Sequence, residues 1–105
     1  MIVRTWSARA TKAGAQSYHR YFESILLPQL HRLRGFEGAF LLGREQEPLV
    51  ELTSHTLWTS LDAIRGFAGD DIDAAVVEPE ALAMLSDSDS TVVHRSVLLS
   101  DRGPG

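Results

Sequence analysis

Residues Leu57 to Gly69 pass from a strand into a helix with almost no chain between the two, and this junction limits the available folds more than any other segment. An apolar, β-branched run ends at Trp58. Thr59 and Asp62 then have the Ser/Thr-x-x-Asp/Glu spacing of a capping box, in which each side chain can satisfy a backbone N–H that the helix start leaves free. The short helix closes on Phe67, Ala68 and Gly69. A strand-to-helix corner with one large indole at its edge is the expected result. Such a corner is either plain architecture or the wall of a flat, aromatic-lined pocket.

The rest of the chain supplies a frame for this corner. Ile2 to Arg9 reads as a strand and Thr11 to Ala15 as a polar turn. Gln16 to Leu33 has helical spacing, with Tyr18, Phe22, Ile25, Leu26, Leu30 and Leu33 on one face. Pro28 removes a backbone hydrogen bond inside that helix and should kink or split it near Leu27, and Gly35 is a suitable stop. Phe36 to Arg44 and Leu49 to Trp58 form a hairpin around Glu45-Gln46-Glu47-Pro48. Thr59 to Phe67 is the second helix, and Gly69 to Asp73 is a loop. Pro79 opens a short helix to Leu85, Ser86 to Ser90 is a hydrophilic turn, and Thr91 to Leu99 is the last strand.

The order β-α-β-β-α-(α)-β is that of an α+β, ferredoxin-like split βαβ sandwich: a four-stranded antiparallel sheet with helices on one face. The expected strand order is 4-1-3-2. Residues 1–100 are expected to form one domain and residues 101–105 a frayed tail. The strands do not alternate as a sheet with one wet face should. Val50, Leu52 and Trp58 point one way and Leu49 and Leu57 the other; Val93, Val97 and Leu99 oppose Val92 and Leu98. Helices cover one face only, so the other is expected to be covered by a second copy of the chain, giving a homodimer through the sheet.

Charge and composition remove several classes of function. The net charge is −4, and the ten cations, Lys12 and nine arginines, are scattered, so no nucleic-acid surface is expected. Without cysteine there is no disulfide, thiolate nucleophile or Cys-ligated metal. No run approaches the roughly 20 apolar residues of a membrane span, and Met1 to Trp6 lacks the pattern of a signal peptide; a soluble, cytoplasmic protein is expected. The histidines have no short metal-ligand spacing, and no phosphate-binding glycine pattern occurs, so neither metal nor nucleotide cofactor is indicated.

Gly35-Phe36-Glu37-Gly38, Leu57-Trp58-Thr59-Ser60 leading to Ala63-Ile64 and Phe67-Ala68-Gly69, then Asp70-Asp71, Ala75-Val76-Val77, Pro79-Glu80, Leu85 and Val92-Val93-His94 together carry a resemblance. Over nearly its whole length the chain resembles the antibiotic biosynthesis monooxygenase family of dimeric α/β-barrel proteins. The resemblance implies the ferredoxin-like fold and a dimer. Members include cofactor-independent oxygenases that turn anthrone-type polyphenols into quinones, and haem-degrading enzymes. Against the quinone formers, Trp58 matches their tryptophan, while Ser54 stands at their Asn position and Ile64 at their Tyr position. Against the haem degraders, the second helix carries no histidine, so the haem ligand is missing at the family's position.

Candidate residues follow from both readings. Trp58 either fills the corner or stacks on a planar substrate. His55 and His94 are candidate general bases, each with a structural alternative as a hydrogen-bonded histidine. Tyr21, Phe22, Phe67 and Met84 are candidate walls of an apolar substrate cavity. His19 and His31 read as surface residues, and Asp71 is a candidate partner for a histidine at a pocket mouth. The expected function is a cofactor-independent monooxygenase acting with dioxygen on a small planar aromatic or polyphenolic substrate. The alternatives are a non-catalytic small-ligand-binding or regulatory dimer and, last, a haem-degrading oxygenase.

Overall fold

The computed structural model describes residues 1–104; Gly105 of the expected frayed tail lies outside the described residues. Three long strands carry the fold: β1 (Ile2–Ala10), β2 (Phe36–Gln46) and β3 (Leu49–Trp58). Two short ones, β4 (Asp87–Ser88) and β5 (Val93–Ser96), share the free edge of β1. The sheet is antiparallel throughout, in the order β2-β3-β1-β4 with β5 beside β1. This is the expected ferredoxin-like arrangement, with the fourth strand position occupied by two segments.

The expected hydrophilic turn at Ser86 to Ser90 is therefore wrong in part. Asp87 and Ser88 pair with Arg9 and Ala8, and the backbone N–H of Ser86 bonds to the Arg9 carbonyl. The last strand is correspondingly shorter than Thr91 to Leu99, and Leu98 and Leu99 stand off the sheet, exposed. The hairpin is also tighter than expected. Glu45 and Gln46 pair with Val50 and Leu49, so only Glu47 and Pro48 make the turn.

The first helix begins earlier than its apolar spacing suggests. Thr11 caps α1 (Lys12–Tyr21) by accepting a hydrogen bond from the Gly14 N–H, so the expected turn at Thr11 to Ala15 is helical. Gly14 is required by packing: a Cβ there would lie 2.3 Å from the Met84 carbonyl oxygen. Pro28 has the anticipated effect one turn upstream. A proline lacks the N–H for the bond to residue i−4, and its ring crowds that carbonyl. The chain responds with a π-helical turn at Phe22–Leu26, in which the Leu27 N–H reaches back to the Phe22 carbonyl, before α2 (Leu27–His31) resumes.

α3 (Leu61–Ala68) follows β3 as expected, but its cap is Ser60, whose hydroxyl accepts from the Ala63 N–H at 3.1 Å. Thr59 is engaged elsewhere: its N–H bonds to the Gly35 carbonyl at 2.9 Å. That contact ties the corner to the end of the first helical segment. Gly35 has φ +84°, and a Cβ there would meet Ala63 and Thr59 at 2.5 and 2.6 Å. A last short helix, α4 (Pro79–Leu82), starts on its proline.

All helices lie on one sheet face. Arg4, Trp6, Ala8 and Ala10 of β1 and Leu52, Ser54, Thr56 and Trp58 of β3 are buried beneath them, and the alternate residues point the other way. The buried side chains form two clusters. One is built on Trp6, Tyr18, Tyr21, Phe22 and Leu52, the other on Leu30, Trp58 and Ile64. The seam between them is where polar residues enter the helix-covered face.

Candidate functional site

The register of the sheet sets one inward-facing row across the seam: Ala39, Thr56, Arg4 and His94, one from each neighbouring strand. Alternation along β1 leaves the Arg4 side chain no route to solvent, and only 4% of the residue is exposed. A buried guanidinium must find acceptors. Its Nη1 donates to the Ile72 carbonyl at 2.6 Å and to His94 Nε2 at 3.0 Å, and its Nη2 donates to the Ala74 carbonyl at 2.8 Å. Arg4 thereby pins the 69–78 loop to the sheet, and its charge lies 5.7 Å above the Phe67 ring. Burial pulls the Arg4 pKa down from its ordinary value, and the charge of nearby Asp73 opposes this.

The same contacts assign the His94 tautomer. A guanidinium has donors only, so Nε2 of His94 accepts and the ring proton of the neutral imidazole sits on Nδ1. Nδ1 lies 3.6 Å from Oδ1 of Asp73, the carboxylate that faces this histidine in place of the expected Asp71. Burial first, then the adjacent Arg4 charge, hold the His94 pKa below its ordinary value, with Asp73 acting in the other direction. His94 is thus a neutral acceptor whose lone pair is taken by Arg4.

Beside this row lies a cavity of about 40 Å³ between sheet and helices. Apolar rings and branches form most of its wall, chiefly Trp6, Phe22 and Phe67, with Arg4, Tyr18, Ser54 and Thr56 as polar members. A second cavity of about 40 Å³ adjoins it, sharing Tyr18, Leu26, Phe67 and Val76 and bounded further by Tyr21 and Glu78. Larger hollows, such as the 380 Å³ one between α1 and the β2–β3 hairpin, are open surface grooves.

The expected site residues divide as follows. Phe22 and Phe67 line the first cavity and Tyr21 the second. His94 reaches the first cavity only through Arg4. Trp58 is fully buried in the corner, stacked on Phe67 at 5.8 Å and edge-on to Phe36 at 5.3 Å. Its indole N–H donates to Thr56 Oγ1 at 2.9 Å, so both its faces and its one polar atom are occupied by protein. His55 lies on the opposite sheet face, between Thr5 and Phe40. Met84 borders an outer groove with Arg20 and Glu80. Sequence reasoning missed Arg4, Tyr18 and Ser54 as cavity residues. The available signal was an arginine on the same alternating face as Trp6, Ala8 and Ala10.

Comparison with solved structures places this architecture. A Bacillus cereus protein assigned as an antibiotic biosynthesis monooxygenase superposes with a TM-score of 0.63 at 16% identity, over 95% of each chain. SnoaB, a cofactor-independent oxygenase from Streptomyces nogalater, superposes with a TM-score of 0.60 at 18% identity, over 94% of this chain and 95% of its own. The chain shares the ferredoxin-like fold of these monooxygenases, as the sequence resemblance implies. No protein-family model matches the chain, and no curated protein matches it in sequence. Among the described residues, no helix is long and apolar enough to cross a membrane, and no three His, Asp or Glu side chains gather as metal ligands.

Proposed function

We propose that the chain is a cofactor-independent oxygenase acting on a small planar aromatic or polyphenolic substrate. The observation that carries this reading is the buried Arg4 guanidinium in the wall of a helix-covered, aromatic-walled cavity, which at about 40 Å³ admits only the oxygen-bearing edge of a substrate and must widen to take its rings. The guanidinium in such a site favours the anion of a phenol or enol over its neutral form. The electron-rich anion passes an electron to dioxygen; for an anthrone, a CH₂ centre and O₂ then yield a carbonyl and water. Arg4 stabilises the developing oxyanion. A ligand oxygen that takes the Arg4 N–H frees Nε2 of His94 to receive a proton.

A non-catalytic ligand-binding role is the second reading. It is favoured by Trp58, whose surfaces are all committed to Phe36, Phe67 and Thr56. Oxygen uptake with the anthrone dithranol, corrected for spontaneous oxidation, separates the two. The parent protein is expected to exceed the background severalfold. Arg4→Gln should lose at least tenfold of that rate, and His55→Ala, altered on the far face, should keep it. Uptake at background in the parent gives the case to the ligand-binding reading.

The proposal includes a homodimer through the open sheet face. Phe40, Leu42 and Val93 stand on that face at 59%, 46% and 50% exposure, a set of apolar groups a lone domain rarely leaves in water. Sedimentation equilibrium is expected to give twice the chain mass for the parent and a single chain mass for Phe40→Asp, with the helix content of both unchanged.

A further inference from the structure

We infer that the cavity walled by Arg4, Tyr18 and Ser54 is a binding site for a small oxyanion of single negative charge, no larger than a carboxylate group. This inference deepens the reading of that cavity as the ligand site and does not depend on any reaction with oxygen.

The argument begins with charge. All three hydrogen-bond partners of Arg4 are uncharged: the carbonyls of Ile72 and Ala74 and the neutral imidazole of His94. The nearest carboxylate, Asp73, is 73% exposed and faces the far nitrogen of that imidazole. A cation that is nine-tenths buried, bonds to no carboxylate and feels only the outlying charge of exposed Asp73 makes its stretch of the cavity wall attractive to a negative charge. The wall also carries three hydroxyls, of which that of Thr56 is already bonded to the Arg4 carbonyl and the Trp58 indole. Tyr18 is 3% exposed and Ser54 8%, and neither hydroxyl bonds to another side chain or to the backbone among the described residues; since no fully buried side-chain polar atom there lacks a partner, both hydroxyl oxygens touch open space, and both residues border the cavity. Burial raises the Tyr18 pKa well above its ordinary value, so this hydroxyl stays a donor. Hydroxyls that open onto an enclosed cavity find their partners there, and a guanidinium with two such hydroxyls is a donor set suited to oxygen anions.

Size then narrows the class. A cavity near 150 Å³ is needed to admit benzene, while a water takes up about 30 Å³ of the liquid. At about 40 Å³ this cavity holds two or three heavy atoms and excludes a ring or a tetrahedral sulfate. Two sources share the permitted chemistry: the carboxylate head group of a larger ligand, and a free small carboxylate such as formate.

The test titrates the protein with sodium formate, acetate and benzoate, and with sodium sulfate at matched ionic strength. It follows tryptophan fluorescence, since Trp6 borders the cavity, and the thermal midpoint. Formate is expected to bind saturably and raise the midpoint, and sulfate to do neither. Because Arg4 also holds the loop, the informative variant is Tyr18→Phe. It should weaken formate about tenfold while leaving the unliganded midpoint unchanged or slightly higher, since that hydroxyl bonds to no protein group. Benzoate binding at least as tight as formate assigns the site to the head group of an aromatic acid, and formate without benzoate assigns it to a free small carboxylate. The inference falls if no carboxylate binds, if sulfate acts as formate does, or if Tyr18→Phe retains full affinity. Formate binding without dithranol-dependent oxygen uptake would retain the anion site and discard only the oxygenase reading.

Discussion

Trp58→Ala should cost about 3–5 kcal/mol of folding stability, the range for removing a large aromatic from a packed core. For a domain whose whole stability is of order 5–15 kcal/mol, that is a third or more of the total. The size follows from position. Trp58 is the largest member of the smaller cluster, closed in by Leu30 and Ile64, which are themselves fully buried, and by the Phe36 and Phe67 rings. Removing it also leaves the Thr56 hydroxyl without the indole N–H. Urea unfolding of the parent and of Trp58→Ala measures the loss directly. A change under about 1 kcal/mol would mean that the corner repacks freely, and Trp58 would then have to be valued for something other than architecture.

Arg4→Met is expected to be nearly as costly, about 3 kcal/mol, because the Ile72 and Ala74 carbonyls lose their donor and an orphaned buried acceptor costs about 1–3 kcal/mol. The 69–78 loop should loosen with it, seen as faster amide exchange of Ala75 and Val92, whose N–H groups bond to Ser90 and Asp73. The neighbouring histidine adds a pH dependence of known sign. Its folded pKa is depressed, by burial and then by Arg4, below the value of about 6.5 expected in the unfolded chain. Its contribution to stability is therefore complete above about pH 6.5 and is lost as pH falls through the lower folded value. A Gln at position 94 can accept from Arg4 but does not titrate, so His94→Gln should flatten that acid limb. An unchanged limb in the variant would assign the acid sensitivity to other groups.

How much of this was legible in the sequence depends on the range of the interaction. The order of strands comes from local periodicity and holds, and the hairpin holds with a shorter turn; of the two-sided apolar pattern the last strand's share fails, because Leu98 and Leu99 stand off the sheet. Local signals erred where a tertiary contact decided between near-equal choices. Thr59 and Ser60 are both competent caps, and the bond from the Thr59 N–H to the Gly35 carbonyl leaves the role to Ser60. Gly14 reads as a turn residue, yet it sits inside a helix because Met84 passes too close for any side chain. The polar run from Ser86 to Ser90 forms a strand because β1 offers it a free edge.

The candidate site was harder to read. Phe22 and Phe67 were visible as large apolar groups on helices, and they do wall the cavity. Its centre is an arginine, a residue type that composition assigns to the surface. Its inward position was recoverable from the alternation with Trp6, Ala8 and Ala10. What joins it to His94, ninety positions away, is the pairing of β1 with β5, and no spacing in the chain announces that register. His55 and Trp58 lie three apart on one strand and so take opposite faces, and the cavity that uses a neighbour of one cannot use the other.

Consider last the outward row at the hairpin end of the sheet: Arg44 beside Glu51, Glu51 beside Arg9, Arg9 beside Asp87. Crossing the strands, the signs run plus, minus, plus, minus. Rotate a second sheet by half a turn about an axis parallel to the strands and lay it on the first. The row then meets its own reverse, so that Arg44 faces Asp87 and Glu51 faces Arg9, opposite signs at every position. An axis perpendicular to the strands carries the row to the other end of the sheet, over Leu57, Val3 and Arg95 instead of alternating charges, and forfeits the match. In the homodimer proposed above, the order of four charges would act as an orientation key, one that copies of the same chain turn in a single direction and that added salt should blunt.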